Sequence, residues 1–174
     1  MTLRHLYFIS LLLTVFACHS LRPVSSSEFP SKASAKKEYT KKNATTKSSI
    51  IRKEIVRYAT RHKGAKYKYG AKGPKRFDCS GFTLYVYKSQ NIDLPAGSYN
   101  QARLGKKVSL KKAQPGDLVF FGKHGKVNHV ALITQKTKDK LIVIHSTSSR
   151  GVVEEDLLQS GYWKPRILFV RNVL

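Results

Sequence analysis

The chain has 174 residues, of which 33 are Lys or Arg and 10 are Asp or Glu, a formal net charge of +23. That length accommodates one modest hydrophobic core and excludes two well-packed domains, while the charge favours an anionic environment such as nucleic acid, lipid headgroups or an anionic cell wall. The basic residues are spread along the chain without a recognition helix, zinc-finger spacing or aromatic-glycine signature, which argues against nucleic acid, and two cysteines, Cys18 and Cys79, exclude a disulfide framework.

At the amino end, one positive charge in Met1–His5 precedes an apolar run from Leu6 to Ala17. The run has signal-peptide length, short of the ~20 residues a bilayer-spanning helix needs, so residues 1–18 are expected to direct export. Its last residues, Val15-Phe16-Ala17-Cys18, resemble a bacterial lipobox, which makes Cys18 the expected lipidation site. By the same likeness, His19 after Cys18 points to an outer-membrane lipoprotein facing the periplasm. The alternative is an ordinary signal peptide cleaved near Ala17, with Cys18 incidental and the product periplasmic or secreted. Residues 19–48, rich in Ser, Thr and Lys and poor in large apolar residues, read as a basic disordered tether ahead of one domain at 49–174.

Ser49 is placed to cap a helix from about Ile50 to His62, with Ile51, Ile55, Tyr58 and Ala59 on one apolar face and Gly64 as its stop. Turn residues follow up to Pro74, then Asp78 is the candidate N-cap of a helix reaching Ser89. Cys79 therefore falls in a first helical turn, where unpaired N–H groups and the helix dipole lower a thiol pKa. A lone cysteine on a helix is also commonly an inert core residue. A nucleophile needs an imidazole to take its proton and a third group to orient that imidazole.

Two segments rich in β-branched residues, Asn128–Thr134 and Lys140–Ser146, flank a polar turn and predict an antiparallel hairpin. A turn centred on Thr137 pairs Ile133 with Leu141, Ala131 with Val143 and His129 with His145, so both imidazoles leave one face. A slip of one residue would put them on opposite faces. The expected mechanism has His129 as base for Cys79 and His145 as the group that orients it. Backbone N–H groups beside Cys79, with the Tyr67 hydroxyl, are candidate oxyanion donors. This chemistry calls for no cofactor and no metal.

Four stretches in order, Phe77-Asp78-Cys79-Ser80-Gly81-Phe82, Gln114-Pro115-Gly116-Asp117-Leu118-Val119-Phe120-Phe121, Asn128-His129-Val130-Ala131 and Ile144-His145-Ser146-Thr147-Ser148, resemble the NlpC/P60 peptidases over about residues 51–174. The resemblance implies a papain-like α+β fold, with the nucleophile on a helix packed against an antiparallel sheet that carries both histidines. It further implies hydrolysis of amide bonds in peptidoglycan stem peptides, typically next to D-amino acids, with peptidoglycan as the partner. Tyr67 stands in the position of an active-site tyrosine, and Asp78 and Ser80 in positions that line the substrate site beside the nucleophile. The stretch Ser146–Val152 and Tyr162-Trp163-Lys164 resembles the Gram-negative lipoprotein branch of that family.

Two positions depart from the pattern: Ala71 where a second glycine is usual, and Ala96 where an arginine is frequent, which removes a charge near the expected cleft. Ser98 and Gln101 have the spacing of a capping box, which reads Gln101 as structural. The chain is expected to act as a monomer. Two other functions fit the same residues: a cell-wall-binding protein with an idle centre, and an acyl transferase or lipid deacylase using the same Cys–His pair.

Overall fold

A computed structural model describes residues 32–174 of the chain, which divides into two units, residues 1–38 and 39–174. The expected export signal, Cys18 and the first part of the tether lie outside the described residues. No helix among the described residues is long and apolar enough to cross a membrane.

Helix α1 runs Lys32–Thr60, so it starts well before Ser49, which lies inside it and caps nothing. The expectation of disorder up to residue 48 is thereby corrected for residues 32–48. Residues 36–47 are all exposed, so packing does not hold them helical. Ile55 and Ala59 are fully buried further along, and a packed segment supplies the nucleus from which good helix formers such as Ala, Lys and Glu propagate at small cost.

Strands β1 (Lys66–Tyr67) and β2 (Arg76–Phe77) pair in parallel ahead of α2 (Cys79–Lys88). Asp78 is the N-cap of α2 with extended backbone, and Ser89 closes it, as the sequence predicted. Gly81, inside this helix, is required by close approach: a Cβ there would sit 2.1 Å from the backbone oxygen of Ala71. The short α3 (Ser98–Gln101) has Gly97, not a side-chain donor or acceptor, at its cap, so the expected capping box does not form. Gln101 is structural for another reason. Fully buried, it donates to the carbonyls of Ser80 and Pro95 and accepts from Thr83, tying α2 to the 95–98 segment.

The remaining strands, β3 (Lys106–Val108), β4 (Leu118–Lys123), β5 (Lys126–Lys136), β6 (Leu141–Thr147), β7 (Gly151–Asp156) and β8 (Ile167–Asn172), form one sheet in the order β3-β8-β4-β5-β6-β7. Every neighbouring pair is antiparallel. Alternation splits its side chains between two cores. Leu118, Phe120, Val130, Leu132 and Ile144 pack with Ile55 of α1 and Phe82 and Val86 of α2. Val119, Phe121, Ala131, Ile133 and Val143 pack with Leu157 and Trp163 on the other face.

The Gln114–Asp117 turn anchors α1 to this sheet. The Arg52 guanidinium donates to the Asp117 carboxylate and the Pro115 carbonyl, both at 2.8 Å, and Asp117 also accepts from the Gln114 N–H. The Tyr87 hydroxyl of α2 donates to the Gly116 carbonyl.

The β5–β6 hairpin forms in a register that differs from the expected one by three residues near its turn and by two further along. Near its turn, where the Thr137 N–H bonds the Lys140 carbonyl, Lys136 faces Leu141 and Gln135 faces Ile142. Carried on unchanged, that register would set His145 opposite Leu132, on the face away from His129. A bulge at Thr134 intervenes, so that Ile133 faces Val143 and Leu132 faces Ile144. His145 then lies across from the strand position of Ala131, on the same face as His129.

Candidate active site

The first turn of α2 presents Cys79 with its neighbours fixed around it. One oxygen of the Asp78 carboxylate accepts from the Gly81 N–H at 2.6 Å and the Ser80 hydroxyl at 3.0 Å, and the other accepts from the Gly70 N–H at 2.9 Å. Asp78 thus clamps the Gly70 loop to the helix start, as an N-cap acceptor does. Ser80 is buried, and Asp78 and Ser80 both line the cavity beside the thiol.

Cys79 lies where two cavities meet. One, about 510 Å³, is lined by Tyr67, Cys79, His129, Arg150, Glu155 and Trp163 among others. The other, about 470 Å³, is lined by Tyr67, Asp78, Cys79, Ser80 and Ala96 among others. Together they make a cleft that passes over the sulfur, with half-buried Tyr67 of β1 facing both arms.

His129 lines this cleft from β5, and His145 of β6 is fully buried behind it. His129 Nε2 and His145 Nδ1 are 2.8 Å apart, a hydrogen bond that leaves His129 Nδ1 free of protein partners among the described residues. The indole of Trp163 stacks on the His129 ring, with centroids 4.5 Å apart and planes at 23°. Phe121 packs against the same imidazole at 5.6 Å. The ring is therefore held between aromatic surfaces in one orientation.

The electrostatics differ from the sequence expectation in one respect. The Cys79 thiol is pushed up from its ordinary value, chiefly by burial and next by the Asp78 carboxylate. The N–H groups of Val130, Ser80 and Cys79 pull it down, yet they do not outweigh the loss of water. Position at a helix start is real, but desolvation wins. His129 is pushed down to about 3, by burial first and His145 second, with Glu155 acting against them. Tyr67 is pushed up by burial and then by Cys79 and Asp78, so its phenol keeps its proton. At neutral pH the resting cleft holds a thiol, a neutral imidazole ready to accept a proton, and a phenol ready to donate a hydrogen bond.

Glu155 was missed by sequence reasoning. Its carboxylate accepts from His145 Nε2 at 2.6 Å and from the Arg150 guanidinium at 2.7 Å through the same oxygen. That carboxyl is held at about 2, first by the His145 hydrogen bond, with burial opposing and Arg150 assisting. Trp163 was read only as part of a resemblance. The signal available for Glu155 was the alternation of β7, whose pairing sets Glu155 opposite Val143 and hence on the face of His145. Among the described residues no group of three or more His, Cys, Asp or Glu could hold a metal ion.

Both the sequence and the fold are similar to those of known proteins. The model of the NlpC/P60 family matches residues 64–172. The chain is 34% identical over 125 residues to gamma-DL-glutamyl hydrolase of Bacillus subtilis, covering 68% of this chain and 29% of that protein. It is 33% identical over 113 residues to murein DD-endopeptidase MepS/murein LD-carboxypeptidase of Escherichia coli K12, covering 64% of this chain and 57% of that protein. It thus spans well under two thirds of these relatives' lengths. Among solved structures, the NlpC/p60 domain of the peptidoglycan hydrolase SagA superposes with a TM-score of 0.59 at 30% identity, covering 68% of this chain and 96% of that one. A lipoprotein-like NLP/P60 protein of Staphylococcus aureus gives a TM-score of 0.61 at 30% identity, covering 72% and 42%. The mixed helix and antiparallel sheet is accordingly the papain-like α+β fold, and the chain belongs to the NlpC/P60 family.

Proposed function

We propose that this chain is a cysteine endopeptidase that hydrolyses amide bonds in peptidoglycan stem peptides, with Cys79 as nucleophile and His129 as general base. The observation that carries the reading is the Cys79 cleft backed by the His129–His145 hydrogen bond, in a chain whose relatives include a murein endopeptidase and a gamma-DL-glutamyl hydrolase.

The thiol proton passes to His129 Nδ1 as sulfur attacks the scissile carbonyl, because a raised thiol and a lowered imidazole do not rest as an ion pair. Nε2–H of His129, bonded to His145, keeps the ring oriented while it carries positive charge. The tetrahedral oxyanion is held by N–H groups at the start of α2 and by the Tyr67 phenol. Collapse expels the amine, which takes the proton from His129, and water then cleaves the thioester with His129 again as base.

Asp78 and Ser80 shape the arm that holds one side of the substrate, and His145 is a positioning residue. Action on peptidoglycan implies export, and the lipobox-like Val15–Cys18 supports attachment through a lipid on Cys18, the outer membrane facing the periplasm being the expected site. The 49–174 catalytic domain is part of the same proposal, as is action as a monomer without nucleic acid.

The test is release of soluble muropeptides from isolated cell walls by the purified chain. Cys79→Ala is expected to abolish release, and His129→Ala to reduce kcat by about 10³-fold or more, in the range that loss of a general base costs such centres. Full turnover by Cys79→Ala would overturn the mechanism.

A further inference from the structure

The two-histidine pair can carry its protons in two directions, and only one of them serves catalysis. If His145 Nδ1 is bare, it accepts from His129 Nε2–H, and His129 Nδ1 is free to take the thiol proton. If His145 Nδ1 carries a proton, it donates to His129 Nε2, and a neutral His129 then bears its proton on Nδ1, where it cannot act as base. The 2.8 Å separation permits both.

We propose that Glu155 sets this direction: its carboxylate takes a proton-bearing Nε2 of His145, so Nδ1 is the acceptor and His129 presents a bare Nδ1 to Cys79. The inference rests on the reading of His129 as base, and goes beyond it by assigning a positioning residue to the far side of His145. The geometry supports it at each step. The Nε2–Oε1 distance is 2.6 Å, and the His145 side chain is fully buried, so no solvent competes for that nitrogen. The oxygen that accepts from His145 also accepts from Arg150, which favours its ionised, acceptor-only form. An acceptor-only group cannot satisfy a bare Nε2, so the reversed direction would leave two lone pairs facing each other in a dry site.

The charged and titratable groups facing Glu155 are Arg150 from the turn before β7, His145 from β6 and His129 from β5; Lys123, Tyr162 and Arg166 line the same cavity. On β7 itself, Glu154 is bonded to Lys63, and Asp156 accepts from the N–H groups of Leu141 and Leu158. Neither is an alternative acceptor for His145.

The experiment uses the full chain with nitrogen-15-labelled histidine, whose ring-nitrogen shifts read the tautomer directly. In the unsubstituted protein at neutral pH both His129 and His145 should carry the proton on Nε2. Glu155→Gln keeps the shape but offers either an acceptor or a donor. It should shift the pair towards Nδ1–H and lower kcat on a soluble muropeptide about 10- to 100-fold, the range for losing an outer partner of a site histidine, with KM little changed. Wild-type tautomers with kcat within twofold in Glu155→Gln would overturn the proposal, and so would Nδ1–H on His145 in the unsubstituted chain. The latter decides the matter even if the variant does not fold. Turnover by Cys79→Ala would overturn the base assignment instead, leaving the tautomer measurement to report on Glu155 alone.

Discussion

At the scale of single residues, the site trades solvent for order. Burial raises the Cys79 thiol and lowers His129, while the carboxyl of Glu155 is lowered by the hydrogen bonds it accepts. These shifts bear on stability as well as chemistry. His129 has a folded value of about 3 against an ordinary 6.5, so between those limits the unfolded chain binds more protons and stability is lost as pH falls. Glu155, about 2 against an ordinary 4.5, acts with the same sign: its contribution is complete above 4.5 and is lost as pH falls towards 2. Melting temperature should therefore fall on acidification from about pH 6.5. His129→Ala should flatten the upper part of that fall and Glu155→Gln the lower part, as measured by calorimetry across the range.

At the scale of elements, the pairing of His129 with His145 depends on one extra residue in a strand. The turn of the β5–β6 hairpin, taken alone, sends His129 and His145 to opposite faces, and the bulge at Thr134 brings them together. Deleting Thr134 removes the bulge but keeps Ile133 opposite Val143, so the histidine pair and turnover should survive within about an order of magnitude. Deleting Ala131, between the bulge and His129, turns His129 to the other face and should abolish muropeptide release. Equal activity of the two deletions would contradict this account. Gly81 acts at the same scale, since only a residue without Cβ lets α2 start against the Ala71 carbonyl.

At the scale of the whole domain, the Arg52–Asp117 ion pair joins α1 to the turn that leads into β4. Arg52 and Asp117 are both largely buried, and the carboxylate has no exposure to compensate a lost partner. Breaking a buried pair from one side costs about 3–5 kcal/mol, because the remaining charge stays desolvated. Arg52→Ala should lower stability by that order in denaturant unfolding, whereas side-chain changes among exposed residues 41–44 should leave it within about 0.5 kcal/mol. The cleft itself lies away from this pair, so Arg52→Ala protein that remains folded should keep its turnover.

Much of this was legible in the amino-acid order because it rests on local rules. Asp78 before Cys79 marks a helix start whatever surrounds it, and the apolar positions of α1 and the β-branched runs of β5 and β6 follow from periods of 3.6 and 2. What stayed hidden depended on distant partners. The Ser98–Gln101 spacing suggested a local cap, yet Gln101 bonds to Ser80, Thr83 and Pro95 instead. The thiol was expected to be lowered by its helix, but burial by the sheet raises it. The sequence by itself determined which side chains could do chemistry, their order along the chain and the even spacing that lets His129 and His145 share a face. Only the tertiary structure decided that they do, through the bulge at Thr134, and that Glu155, ten residues further on, pairs with His145. Alternation along a strand is a property of the chain, whereas register, burial and the neighbour across a sheet belong to the assembled fold.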